Sequence, residues 1–128
     1  MASNASIRCR LAACPETLGD DKQWSFYLIN ESDEPFDETV LCEASYEWGD
    51  CGNSEAPNTR VIDLAPGDHS LIWRCSDSAA ELHLELTVRV RLHGRELLLN
   101  FDFGKLYLKN LTTVNGLGKP RVHALNPP

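Results

Sequence analysis

Residues 81–103 read ELHLELTVRVRLHGRELLLNFDF, and the alternation within them decides the fold. Leu82, Leu84, Leu86, Val88, Val90 and Leu92 take every second position, with Glu81, His83, Glu85, Thr87, Arg89 and Arg91 between them. A β-strand sends successive side chains to opposite faces, whereas a helix would scatter these leucines and valines around its circumference. His93-Gly94 suits a two-residue hairpin turn. Folding the chain back there sets Val90 opposite Leu97, Val88 opposite Leu99, Leu86 opposite Phe101 and Leu84 opposite Phe103, so every inward pair is apolar. On the outward face the same register sets Arg91 against Glu96 as a cross-strand ion pair and Glu85 directly against Asp102.

Working outward from this hairpin, the same two-residue period recurs along the chain. Ile7, Cys9, Leu11 and Ala13 make one face of a first strand, ended by a polar loop containing Pro15 and Gly19-Asp20-Asp21. Trp24, Phe26 and Leu28 begin a second strand, and an acidic turn follows from Glu31 to Phe36. Val40, Cys42, Ala44, Tyr46 and Trp48 form the inward face of a long third strand, with Thr39, Leu41, Glu43, Ser45 and Glu47 outward. Gly49 to Thr59 is read as a loop because it is rich in turn formers. Arg60 to Leu64 and residues 69–75 are strands around Ala65-Pro66-Gly67-Asp68, which has the Pro and Gly placement of a type II turn. Leu106, Leu108 and Leu111 suggest a last short strand, followed by a loose C-terminal tail over residues 115–128.

This pattern predicts an all-β chain: a single antiparallel β-sandwich domain over residues 1–128, immunoglobulin-like in size, with seven to eight strands. Antibody-type Cys, Trp, Cys core spacing is absent. The Leu64-Ala65-Pro66-Gly67-Asp68 turn and the Asn30-Glu31-Ser32 strand end resemble those of bacterial immunoglobulin-like accessory modules, over about half the chain.

The 128 residues carry 12 Lys and Arg against 19 Asp and Glu, a net charge of -7, and are 42% apolar, which excludes collagen-like, coiled-coil and disordered classes. Residues 1–64 hold 4 basic and 13 acidic side chains and residues 65–128 hold 8 and 6, so nucleic acid is not an expected partner. The acidic half of one molecule meeting the basic half of another offers a route to self-association. The longest apolar run is Leu97 to Leu99 and no signal segment opens the chain, so the expectation is a cytoplasmic protein without membrane contact. Ser3-Asn4-Ala5 resembles a cloning remnant, and residues 1–5 are read as one. Cys9, Cys14, Cys42, Cys51 and Cys75 form no C-x-x-C pair, and Cys9 and Cys42 fall on apolar positions as buried, reduced thiols. The sequons at Asn4, Asn30 and Asn110 imply no glycans without secretion.

Few residues point to chemistry. Glu85 opposite Asp102, with His83 on the same outward face, offers the oxygen and imidazole ligands of a divalent metal or an acid/base pair. A carbohydrate platform from Trp24, Trp48, Trp73, Tyr27, Tyr46 or Tyr107 is the other small-ligand alternative, though most of these sit on inward positions. Asp68-His69-Ser70 has triad residue types, but neighbours along a strand point apart. Glu31, Asp33, Glu34, Asp37 and Glu38 make an oxygen-rich turn without EF-hand spacing. Tyr27 is out of phase with its strand and, with Ile29 and Leu41, is expected to form an exposed apolar strip. The reading is therefore a non-enzymatic module without cofactor that binds a protein partner or forms a homodimer. Tyr27, Ile29, Leu41, Glu43 and Glu47 are its expected contact residues, and the His83, Glu85 and Asp102 metal cluster is the alternative.

Overall fold

The structure, a computed structural model, describes residues 7–48, 51–76, 83–104 and 123–125. Nine strands account for all the regular structure among these residues: β1 (Cys9–Leu18), β2 (Asp21–Asn30), β3 (Phe36–Trp48), β4 (Cys51–Glu55), β5 (Thr59–Leu64), β6 (His69–Ser76), β7 (His83–Leu92), β8 (Arg95–Gly104) and β9 (His123–Leu125). They form two antiparallel sheets. One has the order β6-β2-β1-β9; the other runs β4-β3-β7-β8, with β5 also paired to β3. Because β4 and β5 pair with different stretches of the thirteen-residue β3, they lie end to end along its edge.

The core lies between the sheets. Leu11, Ala13, Trp24, Phe26, Leu28 and Ile72 from the four-stranded sheet pack with Phe36, Leu41, Leu84, Leu86, Val88, Val90 and Phe101 from the other. Leu84, Leu86, Val88 and Val90 are all fully buried, so each contributes about 1.5–3 kcal/mol of apolar burial. Phe26 anchors an aromatic group in this layer, with Trp73 at 5.2 Å and Phe103 edge-on at 5.4 Å.

The hairpin register holds for Val90 with Leu97, Val88 with Leu99 and Leu86 with Phe101. It slips at the far end, where an irregularity after Leu84 sets that residue opposite Gly104 instead of Phe103. His93 (φ 51°) and Gly94 (φ 75°) are both left-handed, as the twist-matched type I′ turn requires. The Ala65–Asp68 turn also forms as expected, with Gly67 at φ 78° and the Asp68 N–H donating to the Ala65 carbonyl at 3.0 Å.

Three sequence expectations need correction. Strands β1 and β2 run through the supposed polar loop to a tight turn at Gly19-Asp20, Leu18 pairing Asp21. Pro15 pairs with Trp24 in the β1–β2 ladder and lies beyond the Leu11–Ala13 stretch that the described residues of β9 pair with. Residues 51–55, read as loop, are β4: the long β3 supplies a ladder that outweighs the turn propensity of Gly, Asn and Ser. His123–Leu125, read as tail, adds as β9 to β1, a long-range pairing that no local pattern announces. These make nine strands instead of seven or eight. The expected strand at 106–111 lies outside the described residues.

Asn30 ties the two sheets together at one end. Its side chain is fully buried, donates to the Glu34 and Leu64 carbonyls at 2.9 Å each, and accepts from the Ser32 N–H at 2.8 Å. Its backbone exchanges further bonds with Gly67 and Asp68. The Asn30 strand end and the Ala65–Asp68 turn are thus one hydrogen-bonded unit, and the Asn30 amide is not exposed for glycosylation.

Candidate functional site

The expected apolar strip does not assemble. Leu41 is fully buried in the main core because a bulge between Leu41 and Glu43 in the β3–β7 pairing reverses the alternation. Before the bulge Thr39 and Leu41 face inward opposite Val90 and Val88; after it Ala44 and Tyr46 do so opposite Leu86 and Leu84. Cys42 sits in the irregularity, half-buried, its thiol 3.7 Å from the Val40 carbonyl, and so is not the core residue expected. Tyr27 and Ile29 do share a face, with Ala12, Cys14 and Leu71, on the side of the four-stranded sheet away from the core. They are 9% and 6% exposed, so they are not an open contact strip. Tyr27 is held by its hydroxyl, which donates to Glu16 Oε1 at 2.8 Å, and by an edge-on contact with His69.

The open surface is the outer face of the five-stranded sheet, and β3, β5, β7 and β8 build it row by row. Near the β7–β8 turn, Ile62, Glu38, Arg91 and Glu96 form one row and Arg60, Val40, Arg89 and Leu98 the next. Glu38 is the hub of this end: Arg60 Nε lies 2.6 Å from its Oε2 and Arg89 Nη2 3.7 Å from its Oε1. Arg89 also reaches Glu96 at 4.0 Å, so the expected Arg91–Glu96 pairing holds in register while the ion pair runs diagonally. Ile62 and Leu98, 58% and 67% exposed, flank the network and are the large hydrophobics most open to water among the described residues.

At the other end of the same face, Glu43, exposed, is opposite Thr87, Ser45 is opposite Glu85, and Glu47 is opposite His83. Glu85 is opposite Asp102, as the hairpin reading required. His83 Nε2 lies 2.9 Å from Asp102 Oδ1 and 3.4 Å from Glu85 Oε1, and the three donor atoms lie within 4.8 Å of one another. Charge is therefore uneven along the face: toward the turn Arg60, Arg89 and Arg91 outnumber Glu38 and Glu96, and at the opposite end Glu43, Glu85 and Asp102 surround His83.

The other candidates disperse. The carboxylates of the 31–38 segment turn to different groups instead of to one centre: Glu31 to Arg10, Asp33 to Arg8, Glu34 to the His93 ring, Asp37 to the His93 N–H, and Glu38 to Arg60 and Arg89. No calcium-type nest results among the described residues. His69 packs on Tyr27, while Ser70 lies opposite inward-facing Leu28, so the triad residue types diverge. Trp24 is buried, and Trp73 and Tyr46 pack on each other and on the core, which leaves none of these three as a sugar platform. The Trp48 side chain and Tyr107 lie outside the described residues. Cys9, Cys14, Cys42 and Cys75 are thiols, and burial, with Glu31 nearby, pushes the Cys9 pKa up to about 12. No helix among the described residues is long and apolar enough to cross a membrane.

The acidic and basic halves of the sequence do not become separate surfaces, because β3 lies beside β7 and β2 beside β6. What the sequence did not reveal is the polarity along a single sheet face; the outward rows of β7 and β8 carried that signal, running from His83, Glu85 and Asp102 to Arg89 and Arg91. No known protein-family model matches the chain, and no characterised protein or solved structure matches it.

Proposed function

We propose that this chain is a non-catalytic, immunoglobulin-like interaction module that self-associates through the outer face of its five-stranded sheet. The observation that carries the reading is the layout of that face: at one end Arg60, Arg89 and Arg91 outnumber Glu38 and Glu96, at the other lie Glu43, Glu85 and Asp102, and Leu98 and Ile62 are exposed beside the arginines. A second copy turned by 180° sets each basic end on an acidic end, so the face is complementary to itself. Four strands about 4.8 Å apart and nine residues long at about 3.3 Å each give a projected area of roughly 600 Å² per copy, at the lower end for a specific contact. Association is accordingly weak and reversible. The buried thiols support residence in a reducing compartment such as the cytoplasm.

Sedimentation velocity over a concentration series tests this reading. The wild-type chain shifts toward dimer as concentration rises. Leu98→Asp abolishes the shift, and Glu43→Lys with Glu47→Lys weakens it while leaving the melting temperature within a few degrees. A wild-type chain that stays monomeric, or variants that dimerise unchanged, would remove this face from the account.

A further inference from the structure

We propose that His83, Glu85 and Asp102 bind a divalent transition-metal ion of the Zn²⁺ class at the acidic end of the five-stranded sheet. Glu85 and Asp102 are direct cross-strand partners, and His83 lies two residues along β7 on the same face. A tetrahedral ion with donors at about 2.1 Å holds those donors about 3.4 Å apart. The imidazole nitrogen is 3.4 Å from the Glu85 oxygen and 2.9 Å from the Asp102 oxygen, and no pair among the three exceeds 4.8 Å. The set therefore closes around an ion through small torsional adjustments of side chains that are about half exposed and can make them.

The donor chemistry selects the ion. One imidazole nitrogen with two carboxylate oxygens suits Zn²⁺, Co²⁺ or Mn²⁺, whereas Ca²⁺ takes an all-oxygen shell and Cu⁺ prefers sulfur. Two carboxylates placed directly opposite each other also favour a cation between them. The three donors come from adjacent strands of one ladder. Three protein donors leave a coordination position for water. This inference does not depend on self-association.

The test uses the full chain stripped with chelator, at about pH 7.5. Isothermal titration with ZnCl₂ should give a saturable one-to-one isotherm. CoCl₂ should give d–d absorption without the thiolate charge-transfer band that a cysteine ligand would produce. Glu85→Gln, Asp102→Asn and His83→Gln should each weaken binding at least about tenfold, while Glu96→Gln, on the same face but outside the cluster, leaves it unchanged. Binding should also shift the His83 ring nitrogens in NMR spectra. The absence of saturable binding would overturn the site. So would binding that survives all three substitutions or disappears in Cys42→Ser.

Discussion

Thr39 carries the most direct test of the core. It faces inward between Val61 on β5 and Val90 on β7, is 1% exposed, and its hydroxyl has no hydrogen-bond partner among the described residues. A buried hydroxyl without a partner costs about 1–3 kcal/mol relative to an apolar group of the same shape. Valine has that shape and matches the residues on either side, so Thr39→Val should stabilise the fold by about 1–2 kcal/mol. With an unfolding entropy of about 2.1 cal/mol/K per residue, a chain of this length gains roughly 4–7 °C in Tm. Thermal and urea unfolding followed by circular dichroism measure both quantities, with an unchanged urea slope showing that the native state itself was stabilised. Thr39→Ser keeps the hydroxyl and loses the methyl group, so it should destabilise by about 1 kcal/mol. A neutral or destabilising Thr39→Val would show that the hydroxyl is satisfied in the folded protein and refute the reasoning.

Other consequences follow from single residues. Asn30→Ala leaves the buried Leu64 and Glu34 carbonyls and the Ser32 N–H without the side chain that satisfies them; denaturant unfolding should show a loss of about 3 kcal/mol or more. Gly94→Ala meets no atom within 4 Å of the added Cβ but must hold φ near +75°, so it should cost only about 1 kcal/mol of backbone strain, read as a small fall in Tm. The buried Cys9 thiol, held protonated up to about 12 against an ordinary value of 9.0, keeps its proton in the folded state after the unfolded chain has released it. Stability should therefore decline with a slope of up to about 1.4 kcal/mol per pH unit between pH 9 and 12, and the slope should shrink in Cys9→Ala.

The fold was most legible where local and long-range signals coincide. In β7 and β8 the alternation, the His93-Gly94 turn and the inward pairing all specify one register, so the Glu85–Asp102 juxtaposition could be read before any coordinates. Leu41 failed for a definable reason: alternation was carried straight through Cys42, and a bulge, which leaves no reliable mark in a single sequence, reversed the facing of everything before it. Tyr27 and Ile29 failed differently. Residues from Trp24 to Asn30 are all buried, and Ala12 and Cys14 on β1 are also small, apolar and out of phase. Such runs are the pattern of strands covered on both faces, and assuming one wet face turned a second packed layer into an apparent contact strip. Strands β4 and β9 were hidden because their pairing depends on what β3 and β1 offer rather than on their own composition.

The central claim is that the outer face of the five-stranded sheet meets a second copy of itself. Amide NMR spectra of the wild-type chain recorded from about 10 μM to about 1 mM bracket weak association and test it residue by residue. The account predicts concentration-dependent shifts at Glu43, Arg60, Ile62, Arg91, Leu98 and Asn100, with Ala12, Tyr27 and Leu71 on the other sheet unmoved. Spectra that do not change with concentration, or changes centred on the four-stranded sheet, would contradict it.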